Sequence, residues 1–279
     1  MRHGLSGMYN RKWSNEYFFG CGNNTGSVLK PFIFVEGFDP GTTTLSEDPL
    51  RGQYGDFGWK VFSTGVDPDE DDPLPVRLIP DLIKKLNKDG FDIILVDHKN
   101  GADFIQANGL LLVSLIKKIK LELIINNSKS EIVVAGGSMG GLVSKYALGY
   151  MESNPEVNDV TMVRHNVRLF ISFDSPQNGA NIPIGDQLLV GFMKIMEDVK
   201  RKIKLANETL EKPATKQLVL YQRGSTVNHV PGQHVLRIYL FNDPNFHYPT
   251  LARKVAFMNA MLLVLCKLEH KIIHYLNIK

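Results

Sequence analysis

The stretch EIVVAGGSMGGLVSKYALGYME, residues 131–152, decides the fold of this chain. An apolar run leads into GGSMGG, residues 136–141, and a segment of helical periodicity follows directly. In this G-x-S-x-G arrangement between a strand and a helix, small neighbours allow a turn tight enough to lift the serine hydroxyl above the carboxyl edge of a sheet. The pattern therefore predicts Ser138 as a nucleophile.

The predicted helix after Ser138 gives this position a second property. A helix N-terminus favours developing negative charge, and the backbone N–H of Met139 is placed to donate to an oxyanion. Glycine-rich turns of this kind also bind phosphates. However, GGSMGG lacks the G-x-G-x-x-G spacing and the lysine of a P-loop, so the sequence favours the nucleophile.

Outward from this turn, apolar strands alternate with helical segments. The predicted strands are rich in β-branched residues and cover residues 31–37, 91–97, 131–137, 167–174 and 253–259. Helical periodicity marks residues 78–88 and 102–125. This order predicts an α/β fold with a mostly parallel central sheet flanked by helices, in a single domain over residues 1–279.

The loop after the first predicted strand is expected to supply a second oxyanion donor. Its sequence is Glu36-Gly37-Phe38. Because Gly37 allows a sharp turn, the backbone N–H of Phe38 is expected to face the same pocket as Ser138.

Two segments interrupt the alternation of strands and helices. Residues 39–76 contain the acidic run Asp67–Asp72, which lacks the spacing of an EF-hand and is interpreted as a solvated loop rather than a calcium site. Residues 177–250 contain an amphipathic segment, residues 187–205, which is either a helix packed on the surface or a lid over an apolar site. We expect a lid or cap insertion over residues 177–250.

The composition limits the classes of function. Lys plus Arg total 32 and Asp plus Glu total 29, and the resulting net charge of +3 is too weak to indicate nucleic-acid binding. Cys21 and Cys266 indicate neither a disulfide framework nor a zinc site, and no cofactor or metal is expected. The first residues lack the apolar core of a signal peptide, and the longest apolar run, residues 255–266, is shorter than a membrane span. A soluble chain is expected.

Four segments, in this order, carry a resemblance to a known class of enzyme. They are EGFDP, VDHKNGADFIQANG, VVAGGSMGGLVSKYAL and ISFDSPQNGANIP, within residues 18–183. The chain resembles α/β-hydrolase-fold serine hydrolases of the lipase and esterase type, in particular a lipase-like group from Bacteroidetes. The resemblance implies hydrolysis of a small or lipid-like carboxylic ester through an acyl-enzyme on Ser138, with Met139 and Phe38 as oxyanion donors. Many such lipases have His-Gly where this chain has Glu36-Gly37.

A serine nucleophile of this fold needs an acid and a histidine that follow it in the chain. Asp174 ends the fourth predicted strand, at the same edge as Ser138, and is the candidate acid; the alternative is that Asp174 only caps the turn DSPQNGANIP. After the next strand the sequence offers only Asn259 and Glu269, and neither fits the pattern.

The candidates for the catalytic base are the histidines after Asp174, namely His229, His234, His247, His270 and His274. The resemblance places this histidine after the final strand, which favours His270 or His274, and His270 is the candidate we carry forward. However, LEHKIIHYLNIK is also typical of a basic amphipathic helix, in which both histidines would be surface residues. A metal site at this pair is disfavoured because no third ligand lies nearby.

The resemblance ends at about Ala260, where similar proteins continue with a glycine-rich loop. Either this chain has its own short ending or it is truncated, and truncation would remove the true catalytic histidine. Two alternatives to an ester hydrolase therefore stay open. One is an acyltransferase with the same nucleophile, and the other is a catalytically silent hydrolase-fold domain that binds a ligand or partner. The resemblance also implies export, although the N-terminus carries no export signal.

Overall fold

The computed structural model describes residues 17–20, 27–38, 85–98, 100–157, 164–192, 210–222, 226–227, 230–231 and 234–258. All five predicted strands are present within two residues of their expected limits. The strands are β1 (Tyr17–Gly20), β2 (Pro31–Val35), β3 (Asp92–Val96), β4 (Ile132–Gly137), β5 (Val167–Phe173), β6 (Thr226–Val227), β7 (Val230–Pro231) and β8 (Arg253–Phe257). The helices are α1 (Ile105–Ile125), α2 (Met139–Ser153), α3 (Ile184–Phe192), α4 (Pro213–Leu218) and α5 (Val235–Phe241), and a 3₁₀ turn covers Pro155–Val157.

The main sheet has six described strands in the order β1-β3-β2-β4-β5-β8. Every neighbouring pair is parallel except β1 and β3, which are antiparallel. The predicted α/β-hydrolase fold, with a mostly parallel central sheet flanked by helices, is therefore confirmed. The sequence did not predict β1, because the four residues YFFG are too short to show a periodicity.

The central strands β2 and β3 are buried along their whole length. Since side chains alternate across a strand, Ile33 and Val35 join one core cluster while Phe32 and Phe34 join another on the opposite face. Burial of each such side chain contributes roughly 1.5–3 kcal/mol. Two covered faces explain why these strands are continuously apolar instead of alternating.

Helices α1 and α2 pack together over the larger core cluster. Their contact depends on Gly109, because a Cβ at this position would lie 2.5 Å from Cδ1 of Tyr146. Nearly all of α2 is buried, which explains its apolar sequence and holds its first turn firmly against the sheet. This first turn carries the predicted nucleophile.

The opposite end of α2 is fixed by the carboxylate of Glu152. It accepts hydrogen bonds from the backbone N–H groups of Thr250 and Leu251 at 2.7–2.9 Å and from the Thr250 hydroxyl at 2.8 Å. Its Oε1 also lies 3.0 Å from Nε2 of the buried His165. These bonds lower the pKa of Glu152, although burial of the carboxylate opposes them. The hydrogen bonds of Glu152 connect α2 to the segments that lead into β5 and β8.

Helices α3, α4 and α5 and the short β6-β7 hairpin all lie between β5 and β8 in the chain. The predicted helix over residues 187–205 begins earlier, at Ile184, and residues 193–209 lie outside the described residues. A lid or cap over residues 177–250 therefore stays a prediction. The segment 39–76, with its acidic run, is also outside the described residues. None of the described helices has the length and apolar character of a membrane span.

Candidate active site

Ser138 lies in the turn between β4 and α2, at the carboxyl edge of the sheet. Its backbone has φ 47° and ψ −121°, a conformation that costs a residue with a side chain about 1–3 kcal/mol. Two hydrogen bonds hold this conformation: the N–H of Ser138 donates to the carbonyl of Phe173 at 2.8 Å, and the N–H of Gly141 donates to the carbonyl of Ser138 at 3.2 Å. The surrounding structure thus keeps one strained residue at the end of the central strand.

Three of the four glycines of GGSMGG are required by close packing around this turn. A Cβ at Gly136 would lie 2.4 Å from the carbonyl carbon of Gly140. A Cβ at Gly140 would lie 2.3 Å from the carbonyl oxygen of Glu36, and one at Gly141 would lie 2.0 Å from Oγ of Ser175. The motif therefore brings the end of β2 and the end of β5 against the first turn of α2.

Of the two predicted oxyanion donors, Met139 directly follows Ser138, and Phe38 follows a glycine that lies against the serine. Met139 begins α2, where backbone N–H groups have no partner within the helix, and its fully buried side chain anchors that turn in the core. Gly37 is close enough to Ser138 that a Cβ on it would lie 3.2 Å from the serine Cβ and 3.8 Å from the serine Oγ. Phe38 follows directly, with its side chain packed on the larger core cluster. The structure thus brings the residue before Phe38 to the serine.

The candidate acid Asp174 directly follows β5, the strand beside β4. Its φ is 42°, its side chain is exposed, and its N–H donates to the carbonyl of Phe257 in β8 at 2.7 Å. The preceding carbonyl, that of Phe173, is the one that binds the Ser138 N–H. Asp174 and Ser138 therefore share one edge of the sheet on neighbouring strands.

The candidate base His270 lies outside the described residues, as do His229, His274, Asn259 and Glu269. The assignment of the base to His270 therefore stays a prediction.

Two other candidate histidines are engaged elsewhere in the fold. Nε2 of His247 lies 3.0 Å from Oγ of Ser153, the last residue of α2. A helix of this length spans about 22 Å, so His247 lies one helix length away from Ser138. Nδ1 of His234 accepts the N–H of Leu236 at 3.1 Å and caps α5. The position of His247 therefore does not present its imidazole to the serine hydroxyl.

Sequence reasoning missed a contact between Glu36 and His98, which follow the adjacent strands β2 and β3. The backbone N–H of His98 donates to Oε1 of Glu36 at 2.5 Å. The imidazole of His98 is buried, which lowers its pKa to about 4 and keeps it neutral. Its Nε2 has no hydrogen-bond partner among the described residues. The only signal in the sequence is that two titratable residues follow buried strands at the same edge.

The described residues contain no group of three or more His, Cys, Asp or Glu side chains that could hold a metal ion. The chemistry offered by the described part of the site is that of a serine hydroxyl at a helix N-terminus, where the first backbone N–H groups have no partner within the helix.

The fold and the turn at Ser138 define a protein of the α/β-hydrolase class, and comparison with known families agrees. Residues 90–225 match the family described as "Putative serine esterase (DUF676)". This segment is slightly less than half of the chain, and it contains both Ser138 and Asp174. The match supports a serine hydrolase. No curated protein sequence matches the chain.

The solved structures similar to this chain include three esterases and lipases. Lipase BlEst2 from Bacillus licheniformis is 16% identical over 71% of this chain and 67% of that chain, with a TM-score of 0.36. Esterase Est2 from the Planctomycetes species Thermogutta terrifontis is 13% identical over 92% and 83%, with a TM-score of 0.37. Candida antarctica lipase A is 15% identical over 81% and 52%, with a TM-score of 0.37. Identities this low transfer no substrate to this chain.

Proposed function

We propose that this chain is a serine ester hydrolase of the lipase and esterase type, with Ser138 as its nucleophile. The observation that carries the proposal is the strained backbone of Ser138 at the end of β4, held by hydrogen bonds and by three closely packed glycines. Strain of this kind persists where the surrounding structure imposes it, and it is concentrated at functional sites. The match to a serine esterase family supports the same assignment.

The proposed reaction begins when Oγ of Ser138 attacks the carbonyl carbon of a small or lipid-like ester. His270 accepts the hydroxyl proton, and the carbonyl oxygen becomes an oxyanion that accepts hydrogen bonds from the N–H groups of Met139 and Phe38. Asp174 orients the histidine and stabilises its positive charge.

The tetrahedral intermediate then collapses to an acyl-enzyme. The bond between the carbonyl carbon and the alcohol oxygen breaks, and the histidine returns its proton to the departing alcohol. A water molecule, deprotonated by the same histidine, attacks the acyl carbon. The bond between this carbon and Oγ of Ser138 then breaks, the histidine returns the proton to Oγ, and the acid is released. If an alcohol replaced water in this second step, the same site would catalyse acyl transfer.

Labelling with a fluorophosphonate tests the proposal directly. This reagent phosphonylates a serine that a base and an oxyanion site activate. We expect one adduct by mass on the intact wild-type chain and none on Ser138→Ala. Ser153→Ala is the matched control, because Ser153 is a serine paired with His247 at the far end of the same helix. A folded wild-type chain that forms no adduct would contradict the proposal and favour a silent hydrolase-fold domain.

The base is tested by a pair of substitutions in the terminal segment. We expect His270→Gln to lower the rate of ester hydrolysis by about 10³- to 10⁴-fold, since loss of a triad member leaves only the oxyanion contribution. His274→Gln, four residues further on, should keep the wild-type rate. Equal rates for His270→Gln and the wild type would remove His270 from the proposed triad.

A further inference from the structure

The carboxylate of Glu36 connects the ends of two neighbouring strands immediately before the candidate oxyanion loop. The backbone N–H of Glu36 donates to the carbonyl of Val96 at 3.1 Å, which continues the pairing of β2 with β3. Its side-chain Oε1 accepts the backbone N–H of His98 at 2.5 Å. One residue therefore binds the exit of β3 with both its main chain and its side chain.

The main chain of Glu36 also lies against the serine turn. Its carbonyl oxygen is so close to Gly140 that a Cβ there would lie 2.3 Å away. At the next residue, Gly37, an added Cβ would lie 3.2 Å from Cβ of Ser138. A shift at Glu36 would therefore change the position of the loop relative to both the serine and the first turn of α2.

We propose that the Glu36 carboxylate is a positioning residue that fixes the loop Gly37–Phe38, so that the Phe38 N–H points at the oxyanion. This inference rests on the proposed function, and it assigns Glu36 a role in that same site. Regular sheet pairing ends at Val35, and the bond from His98 to Glu36 continues the attachment of the chain to β3 beyond that point. The His98 contribution comes from its main chain, so the bond does not depend on the protonation of the imidazole.

A misplaced oxyanion donor has a large effect on rate. Removal of one such donor costs about 10²- to 10³-fold in kcat, and a displacement of about 1 Å costs up to about 10²-fold. Glu36→Ala removes the acceptor for the His98 N–H without changing the sequence of the donor loop Gly37–Phe38. We expect this variant to lower kcat by about 10- to 100-fold, with KM for p-nitrophenyl butyrate changed by less than about threefold.

Three further variants separate this role from a general effect of the substitution. Glu36→Gln keeps an oxygen acceptor at the same position and should restore most of kcat. Glu36→Asp keeps the charge but withdraws the carboxylate by about 1.5 Å, so it should lower kcat as Glu36→Ala does. Glu131→Ala is the matched control, because Glu131 is an exposed carboxylate just before β4, at the opposite edge of the sheet.

The rate of fluorophosphonate labelling is the second measurement, since the phosphonyl oxygen occupies the same oxyanion site as the substrate. We expect the labelling rate to fall in parallel with kcat in Glu36→Ala and Glu36→Asp. If Glu36→Ala does not fold, Glu36→Asp decides the question. A folded Glu36→Asp with wild-type kcat and labelling rate, in an active wild-type background, would overturn this inference alone. A wild-type chain that neither labels nor hydrolyses ester would overturn the proposed function and this inference with it.

Discussion

The backbone N–H of Ser138 donates to the carbonyl of Phe173 across 2.8 Å, and this bond joins the ends of two adjacent parallel strands. Ser138 donates this bond, and Asp174 directly follows the residue that accepts it. Both residues have positive φ angles, of 47° and 42° respectively. Because both strands end at this bond, the candidate nucleophile and the candidate acid depend on the same local geometry.

The strain at Ser138 predicts a gain of stability when the residue is changed to glycine. Glycine adopts positive φ without the steric cost that a side chain imposes. We expect Ser138→Gly to unfold at higher urea concentration than Ser138→Ala, with a difference of about 1 kcal/mol in the free energy of unfolding, while both lack esterase activity. If the two variants were equally stable, the turn would not be strained.

The packing of Gly140 predicts a defect specific to this turn. A Cβ there would meet the backbone of β2, which cannot give way without moving the loop that follows. We expect Gly140→Ala to lose fluorophosphonate labelling and several degrees of melting temperature. Gly185→Ala is the control, because a Cβ at Gly185 meets nothing within 4 Å and alanine favours the helix. If a folded Gly140→Ala variant were labelled at the wild-type rate, the close approach of Gly140 to the end of β2 would not be needed for activity.

Asp174 offers a test of the acid that leaves the backbone unchanged. Asparagine tolerates positive φ as aspartate does, so Asp174→Asn should fold with unchanged stability. We expect its kcat to fall by about 10³- to 10⁴-fold, because an amide cannot stabilise the protonated histidine. Asp186→Asn, a change at an exposed aspartate in α3, should keep wild-type activity. Activity of Asp174→Asn within threefold of wild type would assign Asp174 to the turn alone.

Buried histidines predict that acid destabilises the fold. His98 has a pKa of about 4 in the folded chain, against 6.5 as the ordinary value. Between these two pH values the unfolded chain binds a proton that the folded chain does not, so stability falls as the pH is lowered from 6.5 to 4, by up to about 3 kcal/mol. Burial also lowers the pKa of His165, so its protonation destabilises the fold as well. Because the pKa of Glu152 is lowered in the folded chain, protonation of this carboxylate destabilises the fold at still lower pH.

Urea unfolding at pH 7 and pH 4.5 measures this dependence. We expect His98→Leu to show a smaller loss of stability between the two pH values than the wild type, because the substituted side chain does not titrate. An identical loss in the variant would show that His98 does not cause the acid sensitivity.

The sequence predicted the parts of this molecule that depend on local patterns. Continuous apolar runs identified the strands, and the glycines around Ser138 identified the turn. The bond from His98 to Glu36 was not predictable, since it joins main chain and side chain across 62 positions and has no periodicity. Likewise, only the structure shows that His247 is paired with Ser153. Because Ser153 is at the end of α2 opposite Ser138, this contact places His247 far from the nucleophile.

The bond from the Asp174 N–H to the Phe257 carbonyl has a consequence for the order in which the site is assembled during synthesis. Strands β2, β4 and β5 and the serine turn are all synthesised before β8, which begins about 80 residues after the end of β5. Until β8 pairs with β5, the backbone of Asp174 lacks this bond. A nascent chain stalled before residue 253 lacks both this bond and the proposed base His270, so it should resist fluorophosphonate although its serine turn is complete.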